Sequence, residues 1–565
     1  MPALRRHPAL EQLKDAPIVA EHRSPLWRDG RNDEFALVAG KVHNLRIARS
    51  AFDGVVIPAG STFSFWRQLG RPSKRRGYVE GREIQAGCVV PTIAGGLCQL
   101  SNALATCAVD GHITLTERHG HTALVERRDG ASQIDVVDAT VLWNYVDLRF
   151  VPDFDVRIEV EMTSDELVVR MRAADRIQRG AMPPVVLLAS ADIEAAVRPV
   201  ARGCLTCAEV SCFRHGARTA IGGKGATAVL VNAWTPEFAR YIDGLGRDTD
   251  WFLPWTRPAR RRGGAWAPGA TARRTVAVIA SLRRTLLLRR RGIEGGERQA
   301  AVMRGDRWIA DRFSQALQPQ HTHLVIDQSL LVPLAQRGAL HGRTYEVFAH
   351  ALPADELQHR LDVAGRCWPK AASLRDFRIG EEYCATELDA LNRAQRVVTP
   401  HADVARHLRA QLGAKHVETV DWILPARLPL RRVTRPGMPP VVAFPASALA
   451  RKGANEMAEA IRRLGWRLVV LGTPPSDVLE WRDIEVSYMS YRDQSWLCEA
   501  DVVALPAHVE HTPRGLLTAI SHDVPVVATP ACGLPSSLKL IEIPAGDVSA
   551  LVTALQDALR IRTGR

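Results

Sequence analysis

The sequence predicts a multi-domain chain: an α+β unit towards the N-terminus, then two Rossmann-like α/β units in succession. Three observations carry that reading. At 565 residues the chain exceeds what a single core supports and implies three or four compact units. Residues 35–150 mix short alternating apolar runs with one helical stretch, the signature of an α+β unit. From Thr227 onward, apolar strand-like runs alternate with amphipathic helices, the rhythm of parallel sheets. The expected boundaries are 35–180 for the α+β unit, 200–225 for a cysteine-rich patch, and 226–425 and 438–565 for the two α/β units.

Composition sets the class. Hydrophobic residues make up 46% and charged residues 24%, which is globular rather than disordered. No run approaches the roughly 18 apolar residues that span a bilayer. The start, Met1 to Asn32, is polar, carries Arg5, Arg6, Lys14 and Asp15, and has no apolar signal core. A cytoplasmic location is the expectation.

The first unit holds a chemical constellation. Gly95 and Gly96 precede Cys98, and LCQLSNALATCAV has helical spacing, so Cys98 falls in the first turn of a helix. The unpaired amides and dipole there favour a thiolate. His119 and His121 lie two apart in a strand-like run and share a face; Asp138 follows in IDVVDATV, a further strand. Cysteine on a helix, then histidine, then aspartate is the chain order of papain-like and transglutaminase-like hydrolases. Cys98 would then be the nucleophile, His121 (or His119) the base and Asp138 the orienting group. Alternatively, Cys98 packs under the glycine turn and the histidines hold the sheet or a ligand.

The blocks VHNLRIARSAFDGVVIPAGSTFSFWRQLG, RGYVEGREIQAG, GGLCQLSNALATCAV, ERHGHT and VVDATVLWNYVDLRF, all within Lys41–Phe150, resemble the VanW family. That family's activity is not settled, and the resemblance implies a binding module for a cell-wall precursor. Beyond it, VRIEVEMTSDELVVRMRA alternates like a hairpin with Ser164 and Asp165 near the turn.

Next comes RGCLTCAEVSCFRH. Cys204, Cys207 and Cys212 give C-x2-C-x4-C, and His215 completes four donors suited to tetrahedral zinc. An iron–sulfur cluster is the softer alternative, with a fourth ligand such as Cys367. A reduced, redox-sensitive loop is the bland one.

The formal net charge is +13, and much of it lies between Arg257 and Arg291. RRTVAVIASLRRTLLLRRRG within that block places Val276, Ile279, Leu282, Leu286 and Leu287 as an apolar stripe with arginines at both ends and in the middle. Such a stripe is either an interfacial helix at the inner membrane face or a core helix with a basic end. Exposure of Ile279, Leu282 and Leu286 separates the two. No zinc-finger, helix-turn-helix or RNA-binding aromatic pattern accompanies the arginines, so nucleic acid is not an expected partner.

In the α/β part, ATAVLVNAW, HTHLVIDQ, AQRVVTP, VVAFPAS, WRLVVLG, ADVVALPA and VPVVATP are the strand-like runs, with Arg427–Pro440 as a linker. Ligands of such sheets bind at the carboxyl ends of strands. ELDALNRAQRVVTPHADVARHLRAQLG, VVAFPASALARKGANEMAEAIRRLGWRLVVLG and EADVVALPAHVEHTPRGLLTAISHDVPVVATPACGLP resemble family 4 glycosyltransferases of the GT-B fold. The resemblance implies a nucleotide-sugar donor, no metal for the transfer itself, and an envelope or lipid-linked acceptor. Lys452, in a loop before a helix opening at Gly453, suits the diphosphate; Glu510, after the strand DVVALPA, suits donor hydroxyls. The chain departs from the family in two places. Ser447 stands where an arginine is usual, with Arg451 or Arg514 as substitute cations, and Thr518 stands near a usual second glutamate. A non-catalytic binding or assembly protein for wall or polysaccharide precursors is the alternative.

Overall fold

The computed structural model describes residues 5–27, 35–85, 88–120, 137–174, 225–245, 249–255, 266, 268, 272–289, 295–429, 437–472, 481, 483–491 and 495–563. His121 and the patch of Cys204, Cys207, Cys212 and His215 lie outside the described residues. Internal contacts divide the chain into two units. The first is Met1–Thr227 with two short returns, Leu317–His323 and Gly338–Thr344; the second is the remainder.

The first unit contains the strands β1 (Ile18–Pro25), β2 (Val56–Ile57), β3 (Phe63–Ser64), β4 (Glu80–Gln85), β5 (Cys88–Ile93), β6 (Thr114–Glu117), β7 (Arg149–Val151), β8 (Val156–Met162) and β9 (Glu166–Arg172). β1-β9-β8-β2 form an antiparallel sheet, β3-β7-β6 a second, and β4-β5 a hairpin. β8 and β9 are the hairpin expected from alternation. Its turn is fixed by the Thr163 hydroxyl, which accepts the amides of Asp165 and Glu166 at 3.2 and 2.9 Å. The helix Cys98–Asp110 packs on β1 and β9. Its buried face, with Leu100, Ala103, Leu104 and Cys107, joins Val160, Val169 and Met171 in one core.

Two expectations need correction here. β6 ends at Glu117, so His119 lies beyond the strand rather than in it. Asp138 lies in an irregular segment, not a strand. The reason is that helix side chains replace ladder partners: Thr106 Oγ1 accepts the Val137 amide at 3.1 Å and Asn102 Oδ1 the Ala139 amide at 2.8 Å.

The α/β part holds two sheets. The first comprises β10 (Ala226–Leu230), β11 (Thr249–Pro254), β12 (Arg274–Ala277), β13 (His321–Asp327), β14 (Thr344–Phe348), β15 (Arg396–Thr399) and β16 (Val417–Thr419). The second comprises β17 (Val441–Phe444), β18 (Arg467–Val470), β19 (Val486–Tyr488), β20 (Val502–Leu505), β21 (Val526–Ala528) and β22 (Ile541–Glu542). The strand orders are β12-β11-β10-β13-β14-β15-β16 and β19-β18-β17-β20-β21-β22. Both follow the doubly wound pattern in which the chain starts mid-sheet, runs to one edge, then returns to build the other half. All five ladders of the second sheet are parallel. The order reverses between β10 and β13 in one sheet and between β17 and β20 in the other. These are the switch points where the carboxyl ends of neighbouring strands diverge and leave a crevice.

Candidate functional site

Lys452 and Glu510 meet at the second sheet's switch point. Lys452 ends a short 3-10 turn after β17, and Glu510 lies in the loop after β20. The residue that lets the two loops touch is Gly453, at φ +80°, where an added Cβ would come within 2.1 Å of the Pro506 carbonyl oxygen. Lys452 Nζ donates to Glu510 Oε2 at 2.9 Å and to the Val509 carbonyl at 3.2 Å. The Thr512 amide donates to Glu510 Oε1 at 2.8 Å. Glu510 is buried and Lys452 half-buried. Burial alone would raise the Glu510 carboxyl, but the Lys452 ammonium and the Thr512 amide outweigh it and hold the group below its ordinary value.

Two histidines that the sequence reading passed over complete this neighbourhood. His401 Nδ1 accepts the Val404 amide at 3.2 Å, capping the helix Ala402–Leu412. Its Nε2 therefore carries the proton and donates to the Glu510 carbonyl at 2.7 Å. Gly533, at φ +62°, lies flat against that ring, with room for no Cβ. His511 Nε2 accepts the amide of Leu352, in the loop after β14, at 3.3 Å. Burial lowers both histidines, and the neighbouring cations push His511 further down.

Of the two stand-in cations, Arg514 is held elsewhere, while Arg451 stays close enough to help lower the Glu510 carboxyl. Arg514 makes a two-armed ion pair with the fully buried Glu237 and stacks on Trp422 at 5.3 Å. Glu237 also accepts the Ile423 amide at 2.8 Å. Arg451 lies over the Phe377 ring at 5.2 Å. Thr518 is buried, and its hydroxyl donates to the Arg514 carbonyl at 2.7 Å.

A second polar cluster sits at the first sheet's switch point. Asn232 Nδ2, just past β10, donates to Asp306 Oδ1 and to Ser329 Oγ, both at 2.8 Å. Arg284 donates to Asn232 Oδ1 at 2.7 Å and pairs with Asp306 at 2.8 Å. Asp327, the last residue of β13, accepts from the Ser329 hydroxyl at 2.7 Å. Burial raises the Asp306 carboxyl, with Asn232 and Arg284 offsetting part of the rise. The sequence signal was a polar residue directly after each apolar run, in ATAVLVN and HTHLVID.

In the first unit, Cys98 begins its helix as expected. It is half-buried, and its Sγ lies 3.9 Å from the Val141 carbonyl. Gly96, at φ +97°, makes the turn; a Cβ there would meet the Lys41 side chain at 2.1 Å. The segment Val137–Val141 runs along the helix, with Ser101 Oγ donating to the Ala139 carbonyl at 2.6 Å. His119 joins the same segment, its carbonyl accepting the Thr140 amide at 2.7 Å. Its Nε2 stands 3.5 Å from Glu117, and its Nδ1 is buried with no hydrogen-bond partner among the described residues. Cys98 and His119 thus border the five-residue segment that contains Asp138. A groove of about 840 Å³, lined by Phe35, Gly40, Lys74, Tyr78, Glu80 and Ile93 among others, includes none of these three. Among the described residues no group of three or more His, Cys, Asp or Glu side chains is arranged to hold a metal ion.

Comparison with known proteins matches these regions. Residues 40–172 match the family described as VanW like protein, and residues 439–560 match Glycosyl transferases group 1. The Vancomycin B-type resistance protein VanW of Enterococcus faecalis is 31% identical over 137 residues, 24% of this chain and 50% of that protein. The Uncharacterized protein YoaR of Bacillus subtilis is 26% identical over 137 residues, 24% of this chain and 44% of that one. The chain thus spans about half the length of the curated relatives it matches. Among solved structures, the sucrose-phosphate synthase of Thermosynechococcus elongatus is 15% identical, with a TM-score of 0.41, covering 60% of this chain and 90% of that one. WaaG, a glycosyltransferase involved in lipopolysaccharide biosynthesis, is also 15% identical, with a TM-score of 0.33, covering 59% and 90%. The chain therefore joins an N-terminal VanW-like domain to a C-terminal group 1 glycosyltransferase region.

Proposed function

We propose that the α/β part transfers a sugar from a nucleotide-sugar donor to an acceptor of the cell envelope, on the cytoplasmic side where such donors are made. The observation that carries this reading is the Lys452–Glu510 ion pair at the switch point of a doubly wound sheet. A departing diphosphate needs a cation in a dry crevice, and Lys452 supplies one. Burial lowers the Lys452 ammonium, and its partner Glu510 offsets part of that fall before the donor arrives. Once diphosphate takes the ammonium, Glu510 Oε2 is released towards the donor's hydroxyls. Polar groups at the first sheet's switch point, Asn232 and Asp306 among them, would line the acceptor side. Release of free nucleotide from a panel of nucleotide sugars tests the proposal, with loss of release in Lys452→Ala as the expected control.

One observation favours a second reading, a binding or assembly protein without turnover. Thr518 replaces a carboxylate and turns its hydroxyl into its own helix, while Arg514 is held by Glu237. Nucleotide binding without release across the whole panel would decide for that reading. For the VanW-like domain we propose Cys98 as a nucleophile served by His121 or His119 and oriented by Asp138. The half-buried thiol at a helix start and a His119 Nδ1 without a partner among the described residues support it. Alkylation of Cys98 that is slowed in His121→Ala or His119→Ala is the expected result; equal rates in all three proteins would remove the base from the scheme.

A further inference from the structure

The arginine-flanked stretch after β12 carries an inference that does not depend on sugar transfer. Val276 belongs to β12, so the apolar stripe read from the sequence begins two residues later, in the helix Val278–Leu288. That helix follows the edge strand of its sheet. Its inward side is fixed. Arg284 reaches Asp306 and Asn232, the Ser281 hydroxyl accepts the Trp255 amide at 2.8 Å, and Ala280 is buried.

Among the described residues the opposite side is apolar and uncovered. Ile279 is 68% exposed, Leu286 67%, Leu282 42% and Val278 41%. At 100° per residue these four fall within one arc of roughly 100°. Arg283 borders that arc and Arg289 stands at its C-terminal end, both exposed. The helix contains no acidic residue. Val276 and Trp255, each 37% exposed, extend the apolar surface beside it. A core helix would have put Ile279, Leu282 and Leu286 against its own sheet; here they face away from it.

We propose that this face is a docking surface for an anionic lipid bilayer, with Val278, Ile279, Leu282 and Leu286 entering the headgroup–acyl boundary and Arg283 and Arg289 meeting lipid phosphates. Charge complementarity selects this occupant. An apolar strip edged by cations and free of acids suits an anionic interface, whereas a protein partner of ordinary surface would leave the arginines unmatched. Among the described residues no helix is long and apolar enough to cross a membrane, so the contact lies on the surface. An acceptor carried on a lipid would then be met at the membrane by the sheet whose switch point holds Asn232 and Asp306.

The test is co-sedimentation of the full chain with vesicles of phosphatidylcholine mixed with phosphatidylglycerol, against phosphatidylcholine alone. Binding is expected only to the mixed vesicles and should weaken as salt rises. Replacing Ile279→Ser and Leu286→Ser together should reduce the partition coefficient about tenfold or more. Arg283→Gln with Arg289→Gln should reduce it about tenfold and flatten the salt dependence. These positions are exposed, so the fold survives, and unchanged far-UV circular dichroism and nucleotide binding would verify it. Three results would overturn the proposal: no binding to the mixed vesicles, binding undiminished in either double variant, or a dimer of the parent chain that Ile279→Ser/Leu286→Ser converts to monomer. The last would make a second copy the occupant.

Discussion

His401 is neutral because both of its ring nitrogens are committed, Nδ1 as acceptor for the Val404 amide and Nε2–H as donor to the Glu510 carbonyl. A second proton would have to break the helix cap. His511 Nε2 accepts the Leu352 amide, and protonating it would break that bond. Both are lowered from an ordinary value of 6.5, so the unfolded chain takes up protons that the folded chain refuses. Their stabilising contribution is complete above pH 6.5 and declines as the pH falls below it. The urea midpoint of the α/β part should therefore be flat above neutrality and drop towards about pH 5. His401→Asn keeps an oxygen in the capping position and should flatten that drop; a variant as acid-sensitive as the parent would show that His401 is not responsible. The Glu237–Arg514 pair makes a second residue-scale case. Glu237 is fully buried, and Arg514→Ala would strand its charge, at a cost of about 3–5 kcal/mol. Adding Glu237→Gln should restore part of that loss, which a shift in urea midpoint at constant slope would report.

At the scale of elements, the legible parts are those whose chemistry is local. The seven apolar runs read from the sequence all became strands, because a strand buried on both faces writes a continuous Val/Ile/Leu run. The edge strands β12, β16, β19 and β22 write no such run and went unread, as did the interior β11 and β14, whose sequences TDWFLP and TYEVF are broken by polar residues. The helix of Cys98 was legible from its glycines and its period. The irregular path of Asp138 was not, since it depends on Asn102 and Thr106 side chains reaching from more than thirty residues away. Lys452 and Glu510 stand out in the sequence because each follows a recognisable strand. Their direct contact does not, because it rests on Gly453 at φ +80° against Pro506. Gly453→Ala thus makes a sharp element-scale prediction. A left-handed Cβ costs about 1–2 kcal/mol, and the collision with Pro506 adds to it. The loop should move, with Lys452 drawn away from Glu510. Nucleotide affinity should fall together with stability; affinity equal to the parent's would mean that the loop's position does not set the site.

At the scale of the molecule, the described residues build separate cores. One joins Ala20 to Met171 in the first unit; another runs from Val441 to Ala558 in the second, beside a smaller cluster around Phe238, Val325 and Phe348. Length and alternating composition predicted this plurality, because no single core grows to enclose 565 residues. A fused chain of this kind stabilises locally when it binds: a ligand at 100 times its Kd adds about 2.7 kcal/mol, but only to the unit that holds it. A nucleoside diphosphate bound at Lys452 should therefore slow amide exchange in the loops that bear Lys452 and Glu510 and in the helix Ala402–Leu412, which His401 couples to Glu510. The amides of β8, β9 and the helix Cys98–Asp110 should exchange as before. Protection reaching those elements as strongly would require a second nucleotide site in the VanW-like domain. Protection absent from both loops, across several nucleoside diphosphates at saturating concentration, would remove Lys452 and Glu510 from the donor site altogether.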